Sequence, residues 1–199
     1  MAENNHRPAL AAIILAVMAP LTAGAQDGGD DEAARSESES LSAGDAYFAE
    51  TFTDWQHRCV RAPEGQSDRC QLYQLLEDGQ GTPVAEISVT PLPERQEGAA
   101  GATIVTPLET LLPPGLTLSV DGGEEARYPF RLCDQSGCIA QFGMREAELL
   151  AFKRGAEAAI TIVPARAPDQ TAELTVSLSG FTAGYDALIA RRTGDSGGN

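Results

Sequence analysis

Four cysteines are the residues of this chain whose type and spacing could most readily do chemistry. They fall into two close couples, Cys59 with Cys70 and Cys133 with Cys138. A zinc site would need thiolates in a C-x₂₋₄-C spacing, preferably with histidine partners, and Cys133 and Cys138 merely approach it. A redox couple of the C-x-x-C kind fits neither spacing. We therefore predict that all four cysteines are structural and that they bind no metal.

Four cysteines can pair in three ways, and the intervening sequence favours local pairing. Segment 62–68 is rich in turn residues, so Cys59 and Cys70 can face each other across a hairpin. Cys133 and Cys138 enclose only a short loop at a strand turn. A bridge that closes a loop this short lowers the entropy of the unfolded chain and so stabilises the fold by about 2–3 kcal/mol. Bridges of this kind form outside the reducing cytoplasm.

A candidate serine nucleophile lies near the C-terminus. Residues 194–198 read Gly-Asp-Ser-Gly-Gly, the nucleophile segment of trypsin-like serine proteases, and His57 is available as a base. That motif needs further chain to form a specificity pocket, whereas a single residue follows it here. No aspartate lies between Asp78 and Asp121, where that family's order would place the third member. We predict that 192–199 is a disordered tail without protease activity.

The remaining polar residues form no recognisable catalytic or metal set. Alternation places His57 on one strand face with Trp55 and Cys59, which favours a packed histidine over a pH sensor. Carboxylate pairs are too numerous in so acidic a chain to single out one for glycosidase chemistry. A calcium-binding loop is considered at four acids: Asp27, Asp30, Asp31 and Glu32. These acids do not have the spacing of an EF-hand loop and lack its distal glutamate. We predict no catalytic residue, cofactor or metal, and hence no enzyme.

The N-terminus has the pattern of a cleavable export signal. A short polar region precedes an apolar run over 9–21, and residues 23–25 read Ala-Gly-Ala, a small-x-small cleavage site. The apolar run is shorter than the ~20 residues that a spanning helix needs. We predict a signal peptide at 1–25 and no transmembrane segment after its removal.

A strongly acidic segment follows the export signal. Residues 26–46 carry seven acids and one large apolar side chain, Leu41. Such a segment cannot bury enough surface to offset its ordering entropy, so we predict a disordered acidic leader. The whole chain has a net charge of −15. That charge argues against nucleic acid or anionic lipid as a partner, because phosphates bind basic patches.

From residue 47 onward, apolar and polar residues alternate with a period of two. In 171–179 the apolar positions are Ala172, Leu174, Val176 and Leu178. This pattern predicts strands with one buried and one exposed face, as in antiparallel sheets. Further strands are predicted at 50–61, 69–77, 85–90, 102–106, 116–121, 126–133, 137–143 and 157–163. Many short strands with regular turns predict an all-β fold, an antiparallel β-sandwich, with a partly closed barrel as the alternative.

Two short helices are predicted within this domain. Residues 145–154 place apolar side chains on one stripe, and Phe181, Tyr185 and Leu188 recur at helical spacing. The length of the chain suits one domain. We therefore predict a single disulfide-stapled domain at 47–191.

Eight short motifs follow one another along residues 50–190, essentially the whole domain. In order they are Trp55-x-x-x-Cys59, Cys70-Gln71-x-x-Gln74, Leu111-Leu112-Pro113-Pro114-Gly115-Leu116, Val120-Asp121-Gly122, Tyr128-Pro129-Phe130-x-x-Cys133, Gly137-Cys138-x-Ala140, Leu150-x-x-x-Arg154-Gly155 and Val176-Ser177-Leu178-Ser179-Gly180-Phe181. This ordered set resembles the invasion-associated locus B family of exported proteobacterial proteins, known chiefly from Alphaproteobacteria. The long acidic leader and the segment 182–185 depart from the family pattern.

The resemblance implies an all-β envelope protein, linked in some relatives to invasion of host cells, with no catalytic residues to carry over. Our leading hypothesis is a non-catalytic periplasmic protein that acts through contacts with an unidentified envelope or host protein. Secretion or attachment to the outer surface, and the oligomeric state, are left open. A sheet face or the loop 91–102 would form the contact surface.

The alternative hypothesis is a periplasmic module that binds a small ligand or glycan in a groove beside the sheets. The aromatic residues Tyr128, Phe130 and Phe142 are interpreted as core, with a ligand or partner surface as the alternative. A pocket lined by aromatic residues with convergent polar groups would support the ligand-binding hypothesis.

Overall fold

The structure, a computed structural model, describes residues 41–78, 81–93 and 98–196. This part of the chain contains eleven strands and two helices, and both helices lie in its C-terminal third. They are β1 (Ala46–Phe52), β2 (Trp55–Val60), β3 (Arg69–Glu77), β4 (Pro83–Pro91), β5 (Ala100–Thr106), β6 (Leu116–Val120), β7 (Ala126–Tyr128), β8 (Phe130–Asp134), β9 (Gly137–Met144), α1 (Glu146–Arg154), β10 (Glu157–Ile162), β11 (Ala172–Ser177) and α2 (Phe181–Ser196).

The strands form two antiparallel sheets. The large sheet has the order β1-β2-β3-β4-β5-β9-β8, and the small sheet has the order β11-β10-β6-β7. Buried side chains from both sheets join one hydrophobic core, as expected when each layer has one apolar face. The predicted antiparallel β-sandwich with two short helices and two disulfides is confirmed.

Strand β4 shows how the sequence alternation becomes burial. Ala85, Ile87 and Val89 are buried in the core, whereas Glu86 lies on the opposite face and is partly exposed. A one-residue shift would exchange these faces, so the alternation fixes which side of the strand meets the core.

Trp55 connects the large sheet to the rest of the core. Its side chain is fully buried, and its Nε1–H donates to the carbonyl oxygen of Ser177 at 2.7 Å. Its ring meets Phe181 of α2 edge to face, with centroids 5.1 Å apart. Phe181 in turn contacts Phe152 of α1, with centroids 5.3 Å apart. This aromatic series anchors both helices on the sandwich.

Two segments predicted as single strands are each divided in the structure. Residues 50–61 are interrupted by a turn after Phe52, and residues 126–133 are interrupted at Pro129. Thr53 adopts a φ of 55°, which turns the chain between β1 and β2. Pro129 has no N–H to continue a ladder, and β7 and β8 belong to different sheets.

Helix α1 agrees with the predicted helix. The backbone N–H of Arg145 donates to Glu148 Oε2 at 2.7 Å, which satisfies a donor at the N-terminal end. The first turn carries the acids Glu146 and Glu148, and the last turn carries Lys153 and Arg154. Both placements complement the helix dipole.

Helix α2 is longer than predicted. It continues to Ser196, so residues 192–196 are helical rather than part of the predicted tail at 192–199; residues 197–199 lie outside the described residues. The Arg192 guanidinium donates to the carbonyl oxygen of Pro91, which holds the end of the helix against the large sheet. A glycine inside a helix costs only about 1 kcal/mol, so Gly194 does not end it.

The folded domain also begins earlier than the predicted boundary at residue 47. The Ser42 N–H donates to Asp45 Oδ2 at 2.8 Å, and the Gly44 N–H donates to the Arg61 carbonyl at 2.9 Å. The first bond is local, and the second joins the end of the predicted leader, 26–46, to Arg61, the residue directly after β2. The predicted signal peptide at 1–25 and residues 26–40 lie outside the described residues.

Candidate functional site

The four cysteines occupy facing positions on adjacent strands. Cys59 pairs with Cys70 in the β2–β3 ladder, and Cys133 pairs with Cys138 in the β8–β9 ladder. Both couples are disulfide-bonded, with Cα atoms 4.0 Å apart in each. The structure therefore has the predicted local pairing, which uses all four thiols of the chain.

His57 is fully buried beside the first bridge. Its Nε2 lies 2.8 Å from the carbonyl oxygen of Gly184, whereas its buried Nδ1 has no partner among the described residues. The ring packs against Phe52, with centroids 4.6 Å apart. Burial lowers the pKa of His57, although the hydrogen bond to Gly184 opposes the shift. These contacts are those of a neutral histidine packed between β2 and α2.

The other candidates for chemistry receive no support from the described geometry. Residues 194–196 of the serine-nucleophile motif form the end of α2, and residues 197 and 198 lie outside the described residues. The calcium loop considered at 27–32 also lies outside them. Within 41–78, 81–93 and 98–196, no group of three His, Cys, Asp or Glu side chains could hold a metal ion.

The first candidate surface is the outer face of the large sheet, opposite the core. Alternation along the strands places four partly or largely exposed apolar side chains on this face. They are Phe48 (57% exposed), Val60 (44%), Leu75 (46%) and Leu132 (53%). Isolated exposed apolar residues are normal, and Leu132 lies on β8 at the far edge of the sheet. Phe48, Val60 and Leu75 lie on the neighbouring strands β1, β2 and β3 and form the candidate contact surface.

Four residues on this face form a connected group that we call the outer-face cluster: Phe48, Arg58, Tyr73 and Glu86. The Phe48 and Tyr73 rings have centroids 5.7 Å apart, and the Arg58 guanidinium carbon lies 5.2 Å from the Tyr73 centroid. The Tyr73 hydroxyl donates to Glu86 Oε2 at 3.0 Å. Burial and the Glu86 carboxylate raise the pKa of Tyr73 to about 12, so the hydroxyl remains a donor at neutral pH.

The second candidate surface is a cleft of about 650 Å³ between the β6–β7 hairpin and α1, which we call the α1 cleft. Tyr128 and Phe152 supply aromatic lining, and Arg127, Arg145 and Glu148 supply polar groups. Volumes of about 300–1,000 Å³ are usual for small-ligand sites.

A short hydrogen-bonded chain crosses the α1 cleft. The Tyr128 hydroxyl donates to Glu148 Oε1 at 2.6 Å, and Arg145 Nη2 donates to the same oxygen at 2.9 Å. Burial, followed by the bond to Glu148, raises the pKa of Tyr128. Burial alone would raise the pKa of Glu148, but the bonds from Arg145 and Tyr128 outweigh it and lower that pKa. Glu148 is therefore an ionised acceptor already engaged by its neighbours.

The aromatic residues singled out in the sequence pack against the core, as interpreted, and one of them also lines a cleft. Tyr128 and Phe142 stack with centroids 3.5 Å apart, and both are partly buried against the core together with Phe130. Tyr128 also lines the α1 cleft. The outer-face cluster was missed because its members lie on four strands, and only the sheet register shows that they touch.

Among the described helices, none is long and apolar enough to span a membrane. The fold and the two bridges define the class of protein, a disulfide-bonded antiparallel β-sandwich.

The family is identified by comparison with known proteins. The family model described as "Invasion associated locus B (IalB) protein" matches residues 55–189. The chain therefore belongs to the invasion-associated locus B family, as the ordered motifs predicted.

Two curated relatives and one solved structure support the same assignment. Invasion protein B homologs from two strains of Brucella abortus are each 24% identical over 151 residues, which covers 76% of this chain and 84% of the relative. The crystal structure of invasion associated protein b from Bartonella henselae matches with a TM-score of 0.62 and 23% identity. That match covers 72% of this chain and 96% of the Bartonella chain. At this identity the structural match supports the fold.

Proposed function

We propose that this protein is a non-catalytic, exported protein of the bacterial cell envelope that acts through contacts with another envelope protein or a host surface. Its expected location is the periplasm, reached by the predicted signal peptide, with secretion or outer-surface attachment left open. The relatives from Brucella and Bartonella favour an alphaproteobacterial source. The names of those relatives associate them with invasion.

The observation that carries this proposal is the outer-face cluster with its exposed apolar neighbours. Aromatic residues and arginine are enriched among the side chains that dominate binding energy at protein interfaces. Here Phe48 is 57% exposed beside Tyr73, and Arg58 lies over the Tyr73 ring. The ion pair of Arg58 with Glu86, at 3.5 Å, fixes the cluster before any partner arrives.

Site-specific photo-cross-linking in the source bacterium tests the proposal. A photoreactive phenylalanine analogue at position 48 should form a discrete adduct with one envelope or host protein. The same analogue at Leu112, which is 40% exposed but lies in the loop between β5 and β6, outside the sheet face, is the control and should not. Equal adducts at both positions, or none at position 48, would contradict the proposal.

Matched leucine substitutions provide a quantitative version of the test. Leu75 and Leu112 are both exposed leucines, at 46% and 40%, so Leu75→Ala and Leu112→Ala remove the same atoms. With the cross-linked partner purified, Leu75→Ala should weaken binding by about fivefold or more, whereas Leu112→Ala should leave it unchanged. Equal effects would place the interface elsewhere.

The second candidate function is a module for a small ligand or glycan, and the α1 cleft favours it. The cleft has the size and the mixture of aromatic and polar lining that such sites need. Calorimetric titration with soluble fragments of bacterial envelope glycans tests this function. Binding that Tyr128→Ala abolishes and Tyr73→Ala preserves would support it; no binding across the fragments would remove it.

A further inference from the structure

Strand β11 is an edge strand whose free side can be assigned from its hydrogen bonds. The Leu178 N–H donates to the Ala156 carbonyl, whereas the Glu157 carbonyl accepts from Asp121, on the side of β6. The facing pair Glu157 and Ser177 is therefore not hydrogen-bonded between β10 and β11. The backbone groups of Ser177 point away from β10, toward the open edge.

Side chains of the large sheet cover this edge at Ser177, where Trp55 Nε1–H also donates to the carbonyl oxygen. The buried amide of Gln74 accepts from the Ser177 N–H at 3.0 Å and donates to the Ser177 carbonyl at 3.0 Å. A side-chain amide here makes the two bonds that a neighbouring strand would make. The edge of β11 is thus shaped to pair with a peptide group.

The next outward-facing residues along β11 have no such cover. Backbone direction alternates along a strand, so Thr175 and Glu173 point the same way as Ser177. The β10–β11 register runs without a bulge through both positions. Both residues are exposed, and no described residue pairs with their outward N–H and carbonyl groups.

A cleft of about 690 Å³ lies along this edge, between the end of β11 and the β3–β4 end of the large sheet; we call it the β11 cleft. Its floor includes Val84, Ile162 and Leu174. Its rim carries four carboxylates and no basic side chain among the lining residues; the acids are Glu77, Asp78, Glu109 and Glu173. Of these acids, Glu109 forms an ion pair with Arg166.

We propose that the β11 edge binds an extended peptide segment of a protein partner as an added strand. The segment would pair its backbone with Thr175 and Glu173 and place an apolar side chain over the floor of the β11 cleft. Lysine or arginine residues on either side would face the carboxylate rim. Backbone pairing supplies binding, and alternate side chains supply selectivity. This inference rests on the proposed function, because it gives the chemistry of one contact of the same binding protein.

A synthetic peptide tests the inference directly. The probe is a short peptide of alternating valine and lysine, compared with a version of alternating valine and glutamate. A third version carries an N-methyl group on every backbone amide, which removes the donors of both strand edges without changing side chains. Binding is measured by calorimetry and by amide chemical shifts of the intact mature protein.

The inference requires three results together. The valine–lysine peptide should bind and should shift the Glu173 and Thr175 amides. The glutamate and N-methylated versions should each bind about tenfold more weakly or worse, as repulsion and lost backbone bonds require. An N-methylated peptide that binds as tightly as its parent, or shifts confined to other strands, would overturn the added strand.

Two protein variants complete the test. Thr175→Pro removes an outward N–H at an edge position where proline is tolerated, and it should lower affinity about tenfold or more. Glu173→Gln should weaken binding and reduce its salt dependence, whereas Glu64→Gln, an equal charge change in a distant exposed turn, should do neither. If Thr175→Pro fails to fold, the N-methylated peptide decides the same question on the native chain.

The outcome is separable from that of the proposed function. Absence of peptide binding together with a specific cross-link at Phe48 would overturn the β11 site and leave the proposed function standing. Peptide binding without any adduct at Phe48 would overturn the proposed function and leave the β11 site standing.

Discussion

His57 Nε2 lies 2.8 Å from the carbonyl oxygen of Gly184, which ties the middle of β2 to the first turn of α2. Nδ1 of the same ring is buried without a partner in the described part of the chain. The neutral ring donates through Nε2 and leaves Nδ1 as a bare acceptor. Protonation would place a charge on a buried ring whose Nδ1 has no described partner.

The first prediction concerns pH. Burial holds the folded-state pKa of His57 below its ordinary value, so the unfolded chain binds a proton at a higher pH than the folded one. The contribution of the neutral His57 ring to stability is therefore fully present above about pH 6.5. It is lost as the pH falls from there through the pKa of His57 in the folded protein. We expect urea unfolding of the mature protein to show this loss between neutral pH and about pH 5.

His57→Gln is the control for this pH effect. His57 is the single histidine after residue 25, so its replacement removes the group that titrates in this range. The variant should lose the pH slope near pH 6, whatever its absolute stability. A slope equal to that of the wild type would contradict the assignment to His57.

The second prediction concerns the bridges. Replacing either cysteine pair by serine should lower the free energy of unfolding by about 2–3 kcal/mol, because each bridge closes a short loop.

Cys59 is fully buried, whereas Cys133 is exposed. We therefore expect mild reductant to open Cys133–Cys138 first, measured by alkylation and peptide mapping; simultaneous opening would contradict this order.

The third prediction concerns Gln74. Its amide bonds Asp54 and both backbone groups of Ser177, with distances between 3.0 and 3.1 Å. Gln74→Met should cost about 1–3 kcal/mol, because buried polar groups would lose their partners. Gln71→Met, on the outer face of the same strand, is the control and should change the unfolding free energy by less than about 0.5 kcal/mol. Equal costs would mean that the bonds to Ser177 contribute little.

The fourth prediction concerns Gly180, at the start of α2. Its φ is +88°, and a Cβ there would lie 1.9 Å from the Phe52 carbonyl oxygen. Gly180→Ala should destabilise the fold by about 3 kcal/mol or more, measured by thermal unfolding. Gly122→Ala also has a positive φ, of +67°, but meets no atom within 4 Å, so it should cost only about 1–2 kcal/mol. Similar costs would show that strain in φ, and not the close approach, dominates at Gly180.

Most strands could be predicted because burial on one face imposes a period of two on each segment separately. β3 and β11 show it: both were predicted within two residues of their observed bounds, from the alternation of their own side chains. The division of 126–133 at Pro129 was not predicted, because the pattern does not show when a chain leaves one sheet for the other.

The candidate surfaces were less accessible to sequence reasoning. Arg58 and Glu86 are far apart in the chain, and their 3.5 Å contact depends on the registers of β2, β3 and β4. The β11 cleft joins parts of both sheets in the same way. No local signal marks such groups.

The sequence alone determined the kind of layers, the disulfide frame and the family, because alternation, cysteine spacing and ordered motifs are properties of neighbouring residues. Tertiary structure decided which face stays open and which edge stays unpaired. Those features depend on contacts such as Trp55 with Ser177, separated by 122 positions. The chain forms such contacts only when both sheets close on one core, so their geometry belongs to the whole fold.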